Sequence, residues 1–398
     1  MKTSVLKKLD EVYSKKNPSF FIKKLNNKKA TKLIENRKNF LLNLKLPPKI
    51  FNSAKLLDLG CGSGHNSIVF DHLKAKCTLV EYNKKSFKNA KILFKKFAKK
   101  NHKFFNQDLF KFKSKIKYDI VVSNGVAHHT MSPKKNINIA CKFTKKNGFL
   151  ILGICTPEGW FQRNLQRLIL FNISKTKKEV VSNSKKLFSD HLKRSCKFGL
   201  RTVEEVIFDT YINPKINCLT FDEIIKIFNK NNMKLYSSLN YHKGISSFLN
   251  PEFEQQKQSI FKESNIKDVN LSKIHEFSLG KGTNYYVNFF KYYKNLLIKL
   301  NLVTRQFNDL NFEKKLNLSD KNLLNLKKIL KKNSKTYLFD KNQNLKFVDE
   351  SINIVKILKL NIKNSKKIFY IKKTLKKNRF LFKKYNGVGL NYFVAYKP

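Results

Sequence analysis

Acidic residues are scarce in this chain. Asp and Glu total 27 against 83 Lys and Arg over 398 residues, a formal net charge of +56. Such an excess points to nucleic acid or another anionic surface. Most of it is lysine, however, and lysine, asparagine, isoleucine and phenylalanine are raised together, as an AT-rich coding sequence would raise them. The lysines are spread along the chain, whereas a binding footprint concentrates on one face. Weak binding of RNA or an anionic surface is the most that the charge predicts. Cysteine is sparse too: the six cysteines show no CxxC or zinc-type spacing, and no histidines cluster with them. No metal site is expected, and the thiols fit a reducing compartment. Long apolar runs are missing. The opening MKTSVLKKLDEVYSKKNPSFF lacks the apolar core of a secretory signal. No run approaches the roughly 18 residues that span a bilayer. The expectation is a cytoplasmic protein with no transmembrane segment. Repeats of roughly 20–50 residues, the mark of a solenoid, are absent.

Hydrophobic residues at 41% still suffice for a large core, and the length exceeds one typical domain. Residues 1–50 read as a helical cap ending at Leu46-Pro47-Pro48. From Lys55 to Ile154 short β-rich runs (KLLDL, KCTLVE, HKFFN, YDIVVS, GFLILGI) alternate with helical segments. In one of these, Phe87, Ala90, Phe94 and Phe97 share a face while lysines take the other. This alternation predicts an α/β fold with a doubly wound parallel sheet covered by helices on both faces. FDEIIKIFNKNNMKLYSSL resumes a helix and then a strand. GTNYYVNFFK, from Gly282, is echoed by GLNYFVAYK, from Gly389. The two are either unrelated aromatic strands or a repeated terminal hairpin.

Glycine is also infrequent, at 13 residues, yet KLLDLGCGSGHN places Gly60, Gly62 and Gly64 at alternate positions after a strand. Parallel sheets bind ligands at the carboxyl ends of their strands. Glycine admits positive φ and close approach to the backbone, and the following helix start offers unpaired N–H groups. A nucleotide or nucleoside site is expected. The dinucleotide fingerprint GxGxxG is not met, because His65 stands where its third glycine would be. Asp58 would repel phosphates but attract the ammonium or sulfonium of S-adenosylmethionine. Glu81, ending the second strand, can accept from ribose hydroxyls, and Asp108, after the third, from an adenine amine. Three acids at three strand ends suit a nucleoside carrying positive charge.

With these segments, LLDLGCGSGHNSI, LVEYNKKSFKNAK, FFNQDLFKF, YDIVVSNGVAHHT and KKNGFLILGI in order, residues 50 to 155 resemble the class I S-adenosylmethionine-dependent methyltransferases. The resemblance implies a Rossmann-like, mostly parallel seven-stranded sheet with the last strand antiparallel. It implies S-adenosylmethionine as cofactor, cradled by Gly60, Gly62 and Gly64, with Asp58 at its methionine part and Glu81 on the ribose. Asp108 and the backbone of Leu109 would read the adenine, Asn124 would lie beside the methionine portion, and Tyr82 near the adenosine. SNGVAHHT stands where base-amine DNA methyltransferases carry Asn/Asp-Pro-Pro-Tyr. The His doublet is similar to enzymes acting on small metabolites, including lipid and quinone precursors.

Methyl transfer requires alignment and exclusion of water, and a base only where the acceptor must lose a proton. His128 and His129 are the catalytic candidates. Trp160, Leu165 and Leu168 suit the apolar wall of a lid spanning about 156–220. Arg163 and Arg167, at i and i+4, share a helix face. Four of the seven arginines (Arg163, Arg167, Arg194, Arg201) fall in this stretch, where composition alone would supply lysine. The planar guanidinium suits carboxylate or phosphate, so a small anionic or lipid-like acceptor is expected there. Asp209 and Tyr211, in DTYINP, are further pocket candidates. The expected organisation is a cap (1–50), a methyltransferase domain (51–295) and a basic C-terminal extension (296–398). The rival reading is an RNA methyltransferase gripping RNA through that extension.

Overall fold

The computed structural model describes residues 26–199, 202–213, 216–239, 312–332, 341–377, 382 and 390–398. Seven strands make one sheet: β1 (Lys55–Leu59), β2 (Lys76–Val80), β3 (Lys103–Phe105), β4 (Tyr118–Asn124), β5 (Thr144–Cys155), β6 (Lys234–Leu239) and β7 (Leu390–Tyr396). Their order is β3-β2-β1-β4-β5-β7-β6. The pairs β1–β2, β1–β4, β2–β3 and β4–β5 are parallel, and β7 runs antiparallel to both β5 and β6. The doubly wound, mostly parallel sheet expected from the sequence is therefore present, with its antiparallel strand.

Both faces of the sheet are buried, so β1 and β2 read as nearly continuous apolar runs. Side-chain alternation divides them between two cores. Leu56, Leu79, Ile120, Val122, Ile151 and Val394 meet α1 (Asn27–Asn43), α2 (Ile68–His72) and α3 (Lys84–Phe97) on one face. Leu57, Val80, Val121, Leu150, Phe393 and Ala395 meet α4 (Pro133–Phe143) and α8 (Phe221–Lys230) on the other. Side-chain oxygens cap these helices: Asn83 on α3, Ser132 on α4, and a Thr220–Glu223 capping box on α8.

A third core lies in a helical layer. It joins α5 (Pro157–Ile173), α6 (Lys177–Gly199, kinked at Phe188) and α7 (Val203–Ile207) to α9 (Phe312–Lys332), α10 (Lys341–Lys359) and α11 (Asn364–Lys377). Leu165, Leu168, Phe188 and Tyr211 pack there with Val348, Ile352, Val355 and Ile371.

Two organisational expectations change. The stretch read as a lid insertion and the stretch read as an extension share one hydrophobic core. The sheet's antiparallel strand comes from residues 390–396, inside the supposed extension. Apolar residues of α5 and α6, such as Leu165, Leu168 and Phe188, are buried together with Val348, Ile352 and Ile371 of the later helices. GLNYFVAYK supplies β7; its echo GTNYYVNFFK, the proposed boundary at 295 and residues 1–25 lie outside the described residues. Among the described residues, no helix is long and apolar enough to cross a membrane, and no group of His, Cys, Asp or Glu could hold a metal ion.

Candidate active site

The glycine turn leaves β1 with the N–H groups of Gly60 and Cys61 both donating to Val80 O, at 2.8 and 3.1 Å. Gly60, Gly62 and Gly64 all have positive φ, at 84°, 58° and 77°, a region in which a Cβ is strained. Two of them are also sterically required by the protein itself. A Cβ on Gly60 would lie 2.6 Å from a Val126 methyl, and one on Gly64 3.1 Å from the Phe94 ring.

The acids sit where the sequence placed them. Asp58 is 3% exposed, and Ser67 Oγ donates to its Oδ2 at 2.6 Å. Burial outweighs that bond and, with the nearby Glu81, pushes its carboxyl up to about 7. Glu81 is bracketed by backbone donors: Gly62 N–H reaches Oε2 and Asn83 N–H reaches Oε1, both at 2.8 Å. Burial raises its pKa while these bonds oppose the rise. Each carboxylate oxygen keeps a second lone pair for a ligand. Asp108 accepts from Phe110 N–H at 2.9 Å and is half-buried, beside buried Leu109. Tyr82 is 49% exposed at the mouth of the turn.

These residues fit S-adenosylmethionine on the chain's own evidence. A buried carboxylate whose ionisation is opposed by burial gains most from a cation placed beside it. In the same turn the buried Ser63 Oγ and Asn66 Oδ1 find no hydrogen-bond partner among the described residues, as a polar ligand would require.

Asn124 ends β4 and faces Gly153 of β5. A Cβ on Gly153 would meet Asn124 Oδ1 at 2.6 Å and Tyr392 of β7 at 2.8 Å. Sequence reading missed Gly153, Ser67 and Tyr392.

The histidines divide. His128 is 3% exposed; its Nδ1 accepts from Cys155 N–H at 3.4 Å, and its ring lies 6.5 Å from that of Trp160. Burial, with His129 beside it, holds its pKa well below the usual histidine value. His128 braces the ends of β4 and β5. His129 is the more open of the pair: its Nε2 lies 3.9 Å from Asp209 Oδ1, and the Asn213 amide nitrogen lies 3.1 Å from its Nδ1. Asn213 lies in the DTYINP segment, but the sequence reading named only Asp209 and Tyr211 there.

Arg163 and Arg167 were expected on an acceptor-facing helix surface. The structure buries both. Arg163 donates to Ser195 Oγ at 2.9 Å and Tyr211 Oη at 3.4 Å, and Tyr211 Oη donates on to Gln166 Oε1 at 2.9 Å. Arg167 Nη1 donates to the carbonyls of Thr210 and Asn213, at 3.2 and 2.9 Å. Burial lowers the Arg167 pKa to about 10 and raises that of Tyr211 to about 12. The arginines thus hold the π-helix Phe208–Ile212 and the following Asn213 against α5, and that segment carries Asp209 and Asn213 to His129.

Residues 50–232 match the model of a family described as a methyltransferase domain. Over these residues the chain carries a methyltransferase domain. Its methyl donor is S-adenosylmethionine. No curated protein matches the sequence. Solved structures similar to this methyltransferase share little sequence with it. Magnesium protoporphyrin IX methyltransferase of Synechocystis PCC 6803, with bound SAM, is 14% identical, with 60% of this chain and 85% of that one covered and a TM-score of 0.33. PKMT2 of Rickettsia typhi is 17% identical, with 61% and 49% covered and a TM-score of 0.43. A possible histamine N-methyltransferase of Thermotoga maritima is 14% identical, with 63% and 91% covered and a TM-score of 0.32.

Proposed function

We propose that the enzyme methylates a small, anionic or lipid-like metabolite whose nucleophile carries a proton, and that His129 takes that proton. The observation carrying this reading is the placement of His129 between Asp209 and Asn213 at the end of β4. S-adenosylmethionine, when bound, supplies a methyl group activated by its sulfonium. Asp58 holds the positively charged end of the donor, Glu81 its ribose hydroxyls, and Asp108 with Leu109 its adenine. Tyr82 covers the adenosine and Asn124 fixes the methionine part. With the Asn213 amide oxygen turned to the ring, Nδ1 carries the imidazole proton and Nε2 is the base. Asp209, 3.9 Å away, stabilises the imidazolium that forms.

Two buried donors support an anionic acceptor: Trp160 Nε1 and Arg167 Nε have no partner among the described residues. A carboxylate or phosphate against α5 would satisfy them. Arg163 and Tyr211 hold that wall in place. The experiment is an incubation of the full chain with metabolite extract and labelled methyl donor, followed by identification of the product. A labelled small anionic or amphiphilic product is expected. His129→Gln should lower kcat by about 10²–10⁴-fold with donor affinity unchanged, and an unaltered kcat would remove His129 from the chemistry.

A further inference from the structure

The helix α11, NSKKIFYIKKTLKK, carries six lysines and no acid. Its apolar face is used within the protein: Ile371 is fully buried in the helical layer, with Ile368 and Leu375 packed beside it. Its opposite face is not polar throughout. Phe369 is 62% exposed and Tyr370 44%. Around them Lys366, Lys372, Lys373, Lys376 and Lys377 are exposed. Residues 366, 369, 370 and 373 follow one another at helical spacing along this outer face. An aromatic pair standing in water inside a ring of lysines offers apolar surface that a partner would cover.

We propose that this face of α11 docks the enzyme on an anionic membrane surface. Phe369 and Tyr370 enter the headgroup region, and the lysines meet lipid phosphates with their stems lying along apolar surface. The charge is complementary, with no carboxylate on the helix to oppose it. The same chemistry suits nucleic acid less well. Phe369 and Tyr370 stand edge to face, 5.7 Å apart at 70°, which prevents successive bases from stacking on both rings. The face also lacks arginine, whose plane stacks on bases.

The docking face is tied to the active-site layer. Asn364 Nδ2, at the start of α11, donates to Ile173 O at the end of α5. Lys367 turns inward, its Nζ donating to Leu358 O and Asn172 Oδ1. Helix α5 is the one that carries Trp160 and Arg167, so docking sets the acceptor side of the enzyme near the bilayer. The docking stands on α11 and not on the reading of the acceptor.

The test is co-sedimentation of the full chain with phosphatidylcholine vesicles and with vesicles in which a third of the lipid is phosphatidylserine. Binding is expected only to the anionic vesicles, and should weaken as salt is raised. Replacing Phe369 and Tyr370 together with serine should weaken it by at least about tenfold. Changing Lys366, Lys372, Lys373 and Lys376 to glutamine should do the same, and keeps the test decisive where the serine pair fails to fold. Absence of wild-type binding to anionic vesicles overturns the proposal. So does equal binding to neutral vesicles, or a folded serine variant within about twofold of wild type. Loss of single-stranded oligouridylate affinity in the serine variant, with vesicle binding intact, would assign the face to nucleic acid and also overturn it.

Discussion

Asp58 opposes stability when ionised and, in its proposed role at the donor, would serve binding. Its carboxyl, ordinarily near 3.8, titrates at about 7 in the folded protein. Between those values the folded chain keeps a proton that the unfolded chain has released. Stability from this group therefore falls as pH rises from about 4 to about 7, and stays at its lower value above. His128 and His191 act in the opposite direction: buried neutral, they cost stability as pH falls below about 6.5. Asp58→Asn separates the two. At pH 8, without donor, its thermal midpoint should exceed that of the wild type by several degrees, while donor affinity falls at least about tenfold. Calorimetry checks both, and equal midpoints would mean that the ionised carboxylate is no burden. In the wild type, donor affinity should rise with pH through about 7, as the carboxylate forms. Asp58, Glu81, Asp108 and the glycines were legible in the sequence, because each ends a strand or follows one within a few residues and its spacing encodes the turn. Asn213 was passed over although it sits in the DTYINP segment: nothing local marks it off from its neighbours, and its contact with His129, 84 positions away, forms only on folding. Ser67 was hidden for a milder reason, being an ordinary helix-start serine until its hydroxyl is seen on Asp58.

At the scale of elements, the site depends on contacts between segments that have no local signature. The i, i+4 arginines of α5 were expected to face an acceptor, yet the structure buries both. Both are covered by α6 and by residues 210–213, where Ser195, Tyr211 and the carbonyls of Thr210 and Asn213 accept from them. Arg167→Lys keeps the charge but loses the fork that joins the Thr210 and Asn213 carbonyls. We expect kcat to fall by about tenfold or more, with donor affinity unchanged, because the turn carrying Asp209 shifts against His129. A pH–rate profile distinguishes this from simple loss of acceptor binding: loosening the Asp209 contact should displace the limb that reports the base. Gly153 makes the same point for strands. A glycine inside β5 looks like a weak position, but Asn124 of β4 and Tyr392 of β7 occupy the space a side chain would take at Gly153. Gly153→Ala should destabilise the protein by about 1–3 kcal/mol and weaken donor binding through Asn124. Urea denaturation and calorimetry would read the two effects, and an unchanged pair would show that the neighbours yield without cost.

For the whole molecule, the decisive feature is that β7 lies inside the sheet, between β5 and β6. Seven register pairs join it to β5, from Phe149–Tyr396 to Cys155–Leu390, and five join it to β6. Its side chains enter both sheet cores, Phe393 and Ala395 on one face and Tyr392 and Val394 on the other. Asn391 Nδ2 donates to Thr156 Oγ1 across 235 positions of sequence, at the point where β5 becomes α5. The sequence showed an aromatic strand at 389–397 but gave no means of placing it, since strand order depends on pairings this distant. The consequence is testable. A chain ending at residue 377 keeps residues 50–232, which match the family, yet removes β7. The facing edges of β5 and β6 would then present unpaired backbone groups and an opened apolar core. That chain should lose cooperative unfolding and S-adenosylmethionine binding together, although every residue proposed to hold the donor remains. Calorimetry and urea denaturation against the full chain decide it. A cooperative, donor-binding truncation would show that β7 is an accessory strand. Aggregation of the truncated chain, relieved by adding a peptide of residues 389–398, would show the reverse: that peptide can rebuild the sheet only by entering the slot between β5 and β6.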